Sequence, residues 1–181
     1  RKVMGYILEG TLSEIEQVFR QLYEHQYPPM RFLTEMGNPL PKAFKDAAEF
    51  ILNTDLRRAL TADDLDVTRI ENLVSNARIW DSELDSEGHG YLLQQTLARM
   101  MRQVFENPDD EGLLEKVTAA VALSCSLPFP LDLGQVQTLY YRMLPTARKE
   151  RRELAEAGDE AARSWLERFD TLGTHLQVRP E

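Results

Sequence analysis

The sequence predicts an all-α protein, a compact bundle of about seven or eight helices with proline-marked connections. Three observations support this fold class. In most segments, apolar residues recur three and four positions apart, which places them on one face of a helix. β-branched residues are scattered and never alternate with polar residues for long, so strand signals are nearly absent. Prolines stand between the periodic segments, where they end or start helices.

A first helix is predicted from Ser13, which forms a capping-box pattern with Glu16, to Tyr27. Its apolar side is Ile15, Val18, Phe19, Leu22 and Tyr23. Pro28 has no amide hydrogen and restricts the residue before it, so this proline and the next one predict a helix end. A short second helix is expected to follow and to close at Gly37.

The third helix is predicted to start at Pro41, where the missing amide hydrogen costs nothing. Its expected buried side consists of Phe44, Ala47, Ala48, Ile51, Leu52, Ala59 and Leu60. Negative charge at Asp63, Asp64 and Asp66 predicts the start of a fourth helix, because carboxylates stabilise helix N-termini. Trp80 is placed just past the end of that helix.

Three further helices are predicted after the acidic segment DSELDSEGHG. A long one ends at Asn107-Pro108, and the next covers roughly residues 111–124. The prolines of LPFPLD predict a rigid connection to a seventh helix, which starts near Asp132 and ends or kinks at Pro145.

The chain after Pro145 is mostly charged, with a thin apolar line through Leu154, Ala161, Trp165 and Phe169. Since such a line is too sparse for a core helix, we expect this segment to strap across the surface or to pack on something outside the chain. The predicted organisation is therefore a helical bundle domain, residues 1–144, with a charged helical extension, residues 145–181, packed on it.

The net charge of -9 argues against nucleic-acid partners, because their recognition draws on clustered Lys and Arg. Anionic membrane surfaces are disfavoured for the same reason, and the longest apolar tract is shorter than the roughly 20 residues of a spanning helix. Cys125 is expected to be a buried, inert thiol, and a lone cysteine suits a cytoplasmic protein. The first residue is Arg1 rather than Met, which suggests a piece of a longer protein or a processed product.

No metal, cofactor or catalytic site is predicted. The acidic segment has carboxylates at alternate positions, as a calcium loop does, but Ser86 and Leu92 stand where that loop needs Gly and Glu. His25, His89 and His175 lack metal-ligand spacing, so we expect them to be solvated or capping, with His89 in a turn. Glycine-rich phosphate-loop patterns are absent.

Three segments carry a family resemblance: EHQYPPMRFLTEMGNPLPKAFKDAAEFILNTDLRRAL, NARIWDSELDSEGHGYLLQQTLARMM and SLPFPLDLGQVQTLYYRML. Together they resemble the C-terminal helical region of bacterial proteins related to family-57 glycoside hydrolases, where it is a domain of unknown function. The resemblance covers the chain from about Leu12 to Leu144. It implies that the chemistry, a pair of acids on an incomplete (β/α) barrel, belongs to a preceding domain that this chain does not contain.

The resemblance implies a non-catalytic accessory domain of an α-glucan-active or related enzyme, which packs against the catalytic barrel and helps to shape it. The partner would be that upstream catalytic domain, with an oligosaccharide contact in addition. Aromatic rings and an arginine on a proline-stiffened corner would suit a sugar-cleft wall, so the candidate sugar or domain-interface residues are His25, Tyr27, Arg31 and Trp80. The simpler interpretation is that His25, Tyr27 and Arg31 only tie one helix to the next.

Two other functional classes remain open. A stand-alone protein-interaction or dimerisation module would engage its partner through the last charged helix, with Trp165 and Phe169 facing the partner. A broad apolar patch elsewhere on the domain would favour the accessory domain instead. A free-standing helical enzyme with an internal carboxylate site is disfavoured, because no residue spacing supports it.

Overall fold

The computed structural model describes the backbone of residues 2–178 and the side chains of residues 10–178. All regular structure within these residues is helical, which confirms the all-α prediction. The elements are α1 (Lys2–Glu35), α2 (Lys42–Thr61), α3 (Val67–Ile79), α4 (Ser86–Glu106), α5 (Glu111–Ser126), α6 (Gly134–Met143), a π-helical turn (Leu144–Arg148), α7 (Lys149–Glu156) and α8 (Glu160–His175).

The helices form two compact units. Unit 1 contains the described residues up to Arg58 together with Thr68–Asp85, and unit 2 contains Ala59–Val67 and the described residues from Ser86 onward. The predicted boundary between a bundle domain and an extension, at residue 144, does not coincide with the boundary between the two units. The proposed domain organisation stays a prediction. Residues 145–178 belong to the same unit as residues 86–144.

The core of unit 1 is an apolar cluster contributed by α1, α2 and α3. Its fully or almost fully buried members are Met30, Ala48, Leu52, Ala77 and Trp80, with Tyr23, Tyr27, Leu40, Phe44, Leu73 and Leu84 packed against them. α2 begins directly after Pro41, as predicted, and the backbone amide of Phe44 donates to the Pro41 carbonyl. Burial of this cluster stabilises the unit through the hydrophobic effect.

α1 begins earlier than predicted. The helix already includes Lys2, so Ser13 is an interior residue and not a cap. In a capping box the Glu16 carboxylate would bond the backbone at the helix start, but here it accepts hydrogen bonds from Arg20 at 3.1 Å and Arg58 at 2.7 Å. The Ser-x-x-Glu pattern therefore has a different structural role, in which Glu16 ties α1 to α2.

The predicted helix end at the two prolines is also wrong, because α1 continues through Pro28 and Pro29. An interior proline removes a backbone hydrogen bond and costs about 3 kcal/mol. Both prolines are exposed, as are Glu24 and His25, whose carbonyls would have accepted the missing bonds, so the lost bonds lie on the solvent-facing side of the helix. The next residue, Met30, is completely buried, and its packing favours a continuous helix.

Four helix ends share a left-handed cap. Among the described residues, positive φ angles occur at Gly37 (71°), Asp81 (50°), Gly158 (101°) and Gln177 (55°). The residue after each one donates to a carbonyl five positions back, as Asn38 does to Leu33 and Val178 does to Gly173, both at 2.9 Å. This is the Schellman arrangement, and it confirms that Gly37 closes the helix before it.

Gln177→Gly is expected to raise the free energy of unfolding by about 0.5–1 kcal/mol. A left-handed non-glycine residue costs about 1–2 kcal/mol, which outweighs the entropy cost of glycine. The Gln177 side chain is exposed, so little packing is lost. Urea unfolding measures the change.

The matched control is Gly158→Ala, where an added Cβ meets no atom of the described residues within 4 Å. Its φ of 101° is unfavourable for alanine, so a loss of about 1 kcal/mol is expected from the backbone alone. An unchanged or lowered stability of Gln177→Gly would contradict the assignment of strain to this cap.

In unit 2, α4 packs against α5 and α6, and α8 packs against α5 and α7. Three aromatic rings stack in its core: Tyr140 lies on Phe169 with centroids 4.3 Å apart, and Phe169 lies on Trp165 at 4.8 Å. The expectation of a sparse surface strap is therefore wrong for α8, which is a core helix. Its buried side is Ala162, Trp165, Phe169, Leu172 and Gly173.

α6 ends at Met143 and leads through the π-helical turn into α7. Pro145 lies in the first positions of that turn. A π-helical turn is a recognised cause of helix kinking, so the prediction that Pro145 ends or kinks the seventh helix is confirmed.

His89 is not in a turn, contrary to the prediction. It lies within α4, is completely buried, and its ring is 5.7 Å from the ring of Phe129. At the next position, a Cβ added to Gly90 would lie 2.5 Å from the Pro130 carbonyl oxygen. The rigid LPFPLD connection therefore packs directly on α4 where only glycine leaves room.

Two further side chains are exposed where burial was expected. Cys125 is exposed near the end of α5, so it is not a core thiol. The helical spacing of Met30, Met36, Met100 and Met101 also predicts core filling. Three of them are buried, but Met36 is 64% exposed. Met36 follows the last residue of α1 and adds to the exposed apolar surface of that helix.

Candidate functional site

Three of the four predicted sugar or interface residues line one groove in unit 1. The groove has a volume of about 330 Å³ and is lined by Tyr27, Arg31, Thr34, Glu35, Ile79 and Trp80. His25 is not among its lining residues. The structure thus brings together residues from α1 and from the end of α3 that lie far apart in the sequence.

Trp80 is a core residue of this unit. Only 2% of it is exposed, and its ring meets the Tyr27 ring edge-on with centroids 5.4 Å apart. Its Nε1 donates to the Tyr23 hydroxyl at 3.3 Å, and burial raises the pKa of Tyr23, which keeps this hydroxyl neutral. Because sugar stacking needs an exposed ring face, the groove offers no such face at Trp80.

Arg31 and His25 are on the exposed surface of α1. Arg31 Nε donates to Glu35 Oε1 at 2.8 Å, and this hydrogen bond raises the pKa of Arg31. His25 Nδ1 lies 2.8 Å from the Gln21 carbonyl oxygen, one helical turn earlier. Both contacts lie within α1 and tie it to no other helix, and both side chains remain accessible to a partner.

A second surface feature of unit 1 lies on α1. The sequence placed Ile15, Val18 and Leu22 on the apolar side of the first helix, but Ile15 and Val18 are exposed. Residues on the exposed side of α1 and just past its end are spaced alternately three and four positions apart, and we call them the α1 seam: Ile15, Val18, Leu22, His25, Pro29, Phe32 and Met36. Four of them are large and well exposed: Ile15 (40%), Val18 (66%), Phe32 (61%) and Met36 (64%). A repeat of about 3.5 residues is the spacing with which one helix packs along another.

The α1 seam borders a depression between α1 and α2, which we call the α1–α2 groove. It has a volume of about 580 Å³ and is lined by Phe19, Asp46, Glu49, Phe50, Asn53, Thr54 and Arg57. The rings of Phe19 and Phe50 stack with centroids 4.8 Å apart. Phe19 follows Ile15 by four positions and precedes Leu22 by three, so the apolar surface continues from the seam into the groove.

The predicted partner-facing residues lie in the interior of unit 2. Trp165 and Phe169 are 1% and 0% exposed. Trp165 Nε1 donates to the Pro108 carbonyl at 2.7 Å, and the Arg151 guanidinium lies 5.9 Å from the indole centroid. Neither ring is therefore available to a partner in this structure. The exposed large apolar side chain of α7 is Leu154, at 40%.

Among side chains 10–178, no group of three or more His, Cys, Asp or Glu residues is placed to hold a metal ion. Helices long and apolar enough to cross a membrane are likewise not found in the described part of the chain.

Comparison of the chain with protein-family models, curated protein sequences and solved structures gave no match. The resemblance to proteins related to family-57 glycoside hydrolases therefore rests on the three sequence segments alone, and the geometry of unit 1 is the independent basis for a functional proposal.

Proposed function

We propose that this chain is a non-catalytic helical domain that docks on another protein domain through the α1 seam. The observation that carries the proposal is the concentration of exposed apolar side chains on α1 and just past its end, where Leu12 (53%) accompanies Ile15, Val18, Phe32 and Met36. Contiguous exposed apolar surface on a folded domain is typical of an interaction site. His25 belongs to this surface as an interface residue.

The proposed docking partner is the catalytic barrel of a family-57-like glycoside hydrolase, in an α-glucan-active or related enzyme. The sequence resemblance supports this choice, because helical regions of that kind follow such a barrel in the same protein. Docking, and not sugar contact, is the proposed role, because Trp80 is buried and Tyr27 meets other aromatic rings edge-on. The activity of the assembled enzyme would reside in the barrel.

A second copy of this chain is the second candidate partner, and it is favoured by the 3.5-residue repeat, which is typical of helix pairs. In this version of a dimerisation module the α1 seam replaces Trp165 and Phe169, which are buried. Sedimentation of the purified chain separates the candidates: the accessory-domain proposal expects a monomer.

Val18→Asp is expected to weaken binding to the separately expressed catalytic barrel at least about tenfold, because an interface that covers Val18 would bury an unpaired carboxylate. Val18 is 66% exposed, so the variant keeps the fold. Leu154→Asp is the matched control, since Leu154 is exposed but lies on α7. Calorimetric titration of the barrel with each variant gives the affinities, and equal affinities of the two variants would refute docking through α1.

A further inference from the structure

The α1–α2 groove combines an apolar ring pair, which we call its floor, with hydrophilic side chains, which we call its rim. Its floor is the Phe19–Phe50 ring pair, with centroids 4.8 Å apart and planes inclined by 28°. Hydrophilic side chains of α2 form its rim, among them Asp46, Glu49 and Asn53. An apolar floor with a polar rim is the usual anatomy of a site that anchors one side chain of a partner.

Ion pairs beside the groove fix α1 against α2. Arg20 donates to both carboxylate oxygens of Asp55, at 3.0 and 2.6 Å, and Arg58 donates to both oxygens of Glu16, each at 2.7 Å. Hydrogen bonds from Arg58 and Arg20 lower the pKa of Glu16, so its carboxylate is charged at neutral pH. Because bidentate pairs restrict geometry, they hold α1 and α2 in one arrangement beside the groove.

The surroundings of the groove are acidic. Asp46 and Glu49 line it, and the backbone amides of the acidic loop after α3 bond its rim: the Glu83 amide donates to the Glu49 carboxylate at 3.3 Å, and the Asp85 amide donates to Asn53 Oδ1 at 2.9 Å. These bonds bring the Glu83 and Asp85 residues beside the groove. The cationic lining residue, Arg57, lies 4.0 Å from the Asp85 carboxylate. Lys45 interacts electrostatically with Glu49 and Glu83 as well. The four carboxylates still outnumber these two cations, so the local charge complements a basic partner.

The spacing of the α1 seam indicates that the partner presents an α-helix. Positions three and four residues apart, repeated from Ile15 to Met36, match the apolar stripe of another α-helix, whereas an extended peptide would present side chains at every second residue. Ile15, Val18 and Phe19 form the part of this surface next to the acidic rim.

We propose that the α1–α2 groove binds a basic amphipathic helix of the partner domain. Apolar side chains of that helix pack on Ile15, Val18 and the Phe19–Phe50 floor, while its Lys or Arg side chains lie beside Asp46 and Glu49. The inference rests on the proposed docking role of α1 and adds the chemistry of the element that α1 recognises.

Two synthetic amphipathic peptides of about 18 residues, five helical turns, test the inference. Both carry leucine at alternating three- and four-residue spacing, and the remaining positions are lysine in one and glutamate in the other. We expect the leucine–lysine peptide to shift the backbone amide resonances of residues 12–22 and 46–57 of the full chain. The leucine–glutamate peptide should bind at least about tenfold more weakly.

Two variants separate groove binding from general attraction to an acidic protein. Val18→Ser and Asp46→Asn should each lower the affinity for the leucine–lysine peptide by about threefold or more. Val18→Ser removes apolar contact, and Asp46→Asn removes a negative charge. Leu154→Ser and Glu150→Gln are the matched controls on α7 and should leave its affinity unchanged. Shifts scattered outside the groove, equal binding of both peptides, or equal effects of variants and controls would each overturn the inference.

These results are independent of the barrel titration. A leucine–lysine peptide that binds the groove while the catalytic barrel does not bind supports the helix inference and refutes the proposed glycoside hydrolase partner. A barrel whose binding depends on Val18 but whose affinity is unaffected by Asp46→Asn supports docking and refutes the basic helix.

Discussion

Trp165→Ala is expected to lower the free energy of unfolding by about 4 kcal/mol, the middle of the range for removing a large buried aromatic side chain. The substitution empties a fully enclosed site next to Phe169 and removes the hydrogen bond from Nε1 to the Pro108 carbonyl. It also removes the ring beneath the Arg151 guanidinium. Urea unfolding followed by circular dichroism measures the loss.

Two companion variants make this result specific. Trp165→Phe keeps an aromatic ring for stacking and loses the hydrogen bond to Pro108, so a smaller loss of about 1–2 kcal/mol is expected. Leu154→Ala, at a side chain that is 40% exposed, should change stability by no more than about 0.5 kcal/mol. A loss from Trp165→Ala as small as that from Leu154→Ala would restore the interpretation of Trp165 as a partner-facing residue.

Gly173→Ala is expected to lower the free energy of unfolding by about 3 kcal/mol, which is at the upper end of the range for overpacked cores. A Cβ at this position would lie 2.2 Å from the Tyr140 hydroxyl oxygen and 2.7 Å from Tyr140 Cζ. The Tyr140 ring is held by its stack on Phe169 and is completely buried, so it has little room to withdraw. The melting temperature of the variant checks the prediction.

Tyr140→Phe provides the rescue experiment. The buried Tyr140 hydroxyl has no hydrogen-bond partner among the described residues, and burial raises the pKa of this tyrosine to about 12, so the cost is that of a neutral, unsatisfied hydroxyl. Its removal should stabilise the protein by about 1 kcal/mol. In the Tyr140→Phe background, Gly173→Ala should lower the free energy of unfolding by less than it does in the wild type. Strictly additive effects in this double-mutant cycle would show that the hydroxyl is not the source of the clash.

The helices between α2 and α6 could be predicted from local signals. Pro41 marked the start of α2, the acids at positions 63–66 marked the start of α3, and Asn107-Pro108 marked the end of α4. Each signal acts within one or two turns and does not depend on the rest of the fold. For that reason the sequence was sufficient to place these elements.

The two errors with the largest consequences depend on tertiary packing. The local penalty of Pro28 and Pro29 was outweighed by the burial of Met30 and by exposure of the residues whose carbonyls lost their donors. In α8, Trp165 stacks on Phe169, and Phe169 stacks on Tyr140. These large rings bury enough apolar surface for a helix with few apolar residues to belong to the core. Neither effect is visible in propensity or spacing alone.

The candidate site was predictable only in part. The sequence selected Tyr27, Arg31 and Trp80 as candidate sugar or domain-interface residues without indicating that they line one groove, and burial of the indole depends on α1 and α3 meeting in space. The α1 seam was readable in principle, since its spacing is continuous from Ile15 to Met36. Reading the two prolines as a helix end divided that spacing into two unrelated pieces.

The single cysteine offers a practical advantage for studying this surface. Cys125 is exposed at the end of α5, with Sγ 3.7 Å from the His175 carbonyl oxygen, whereas α1 and α2 contain no cysteine. A maleimide dye or surface tether attached to the natural thiol leaves every side chain of the α1 seam and the α1–α2 groove chemically intact. Fluorescence and immobilisation assays can therefore use the wild-type chain, without an engineered attachment point.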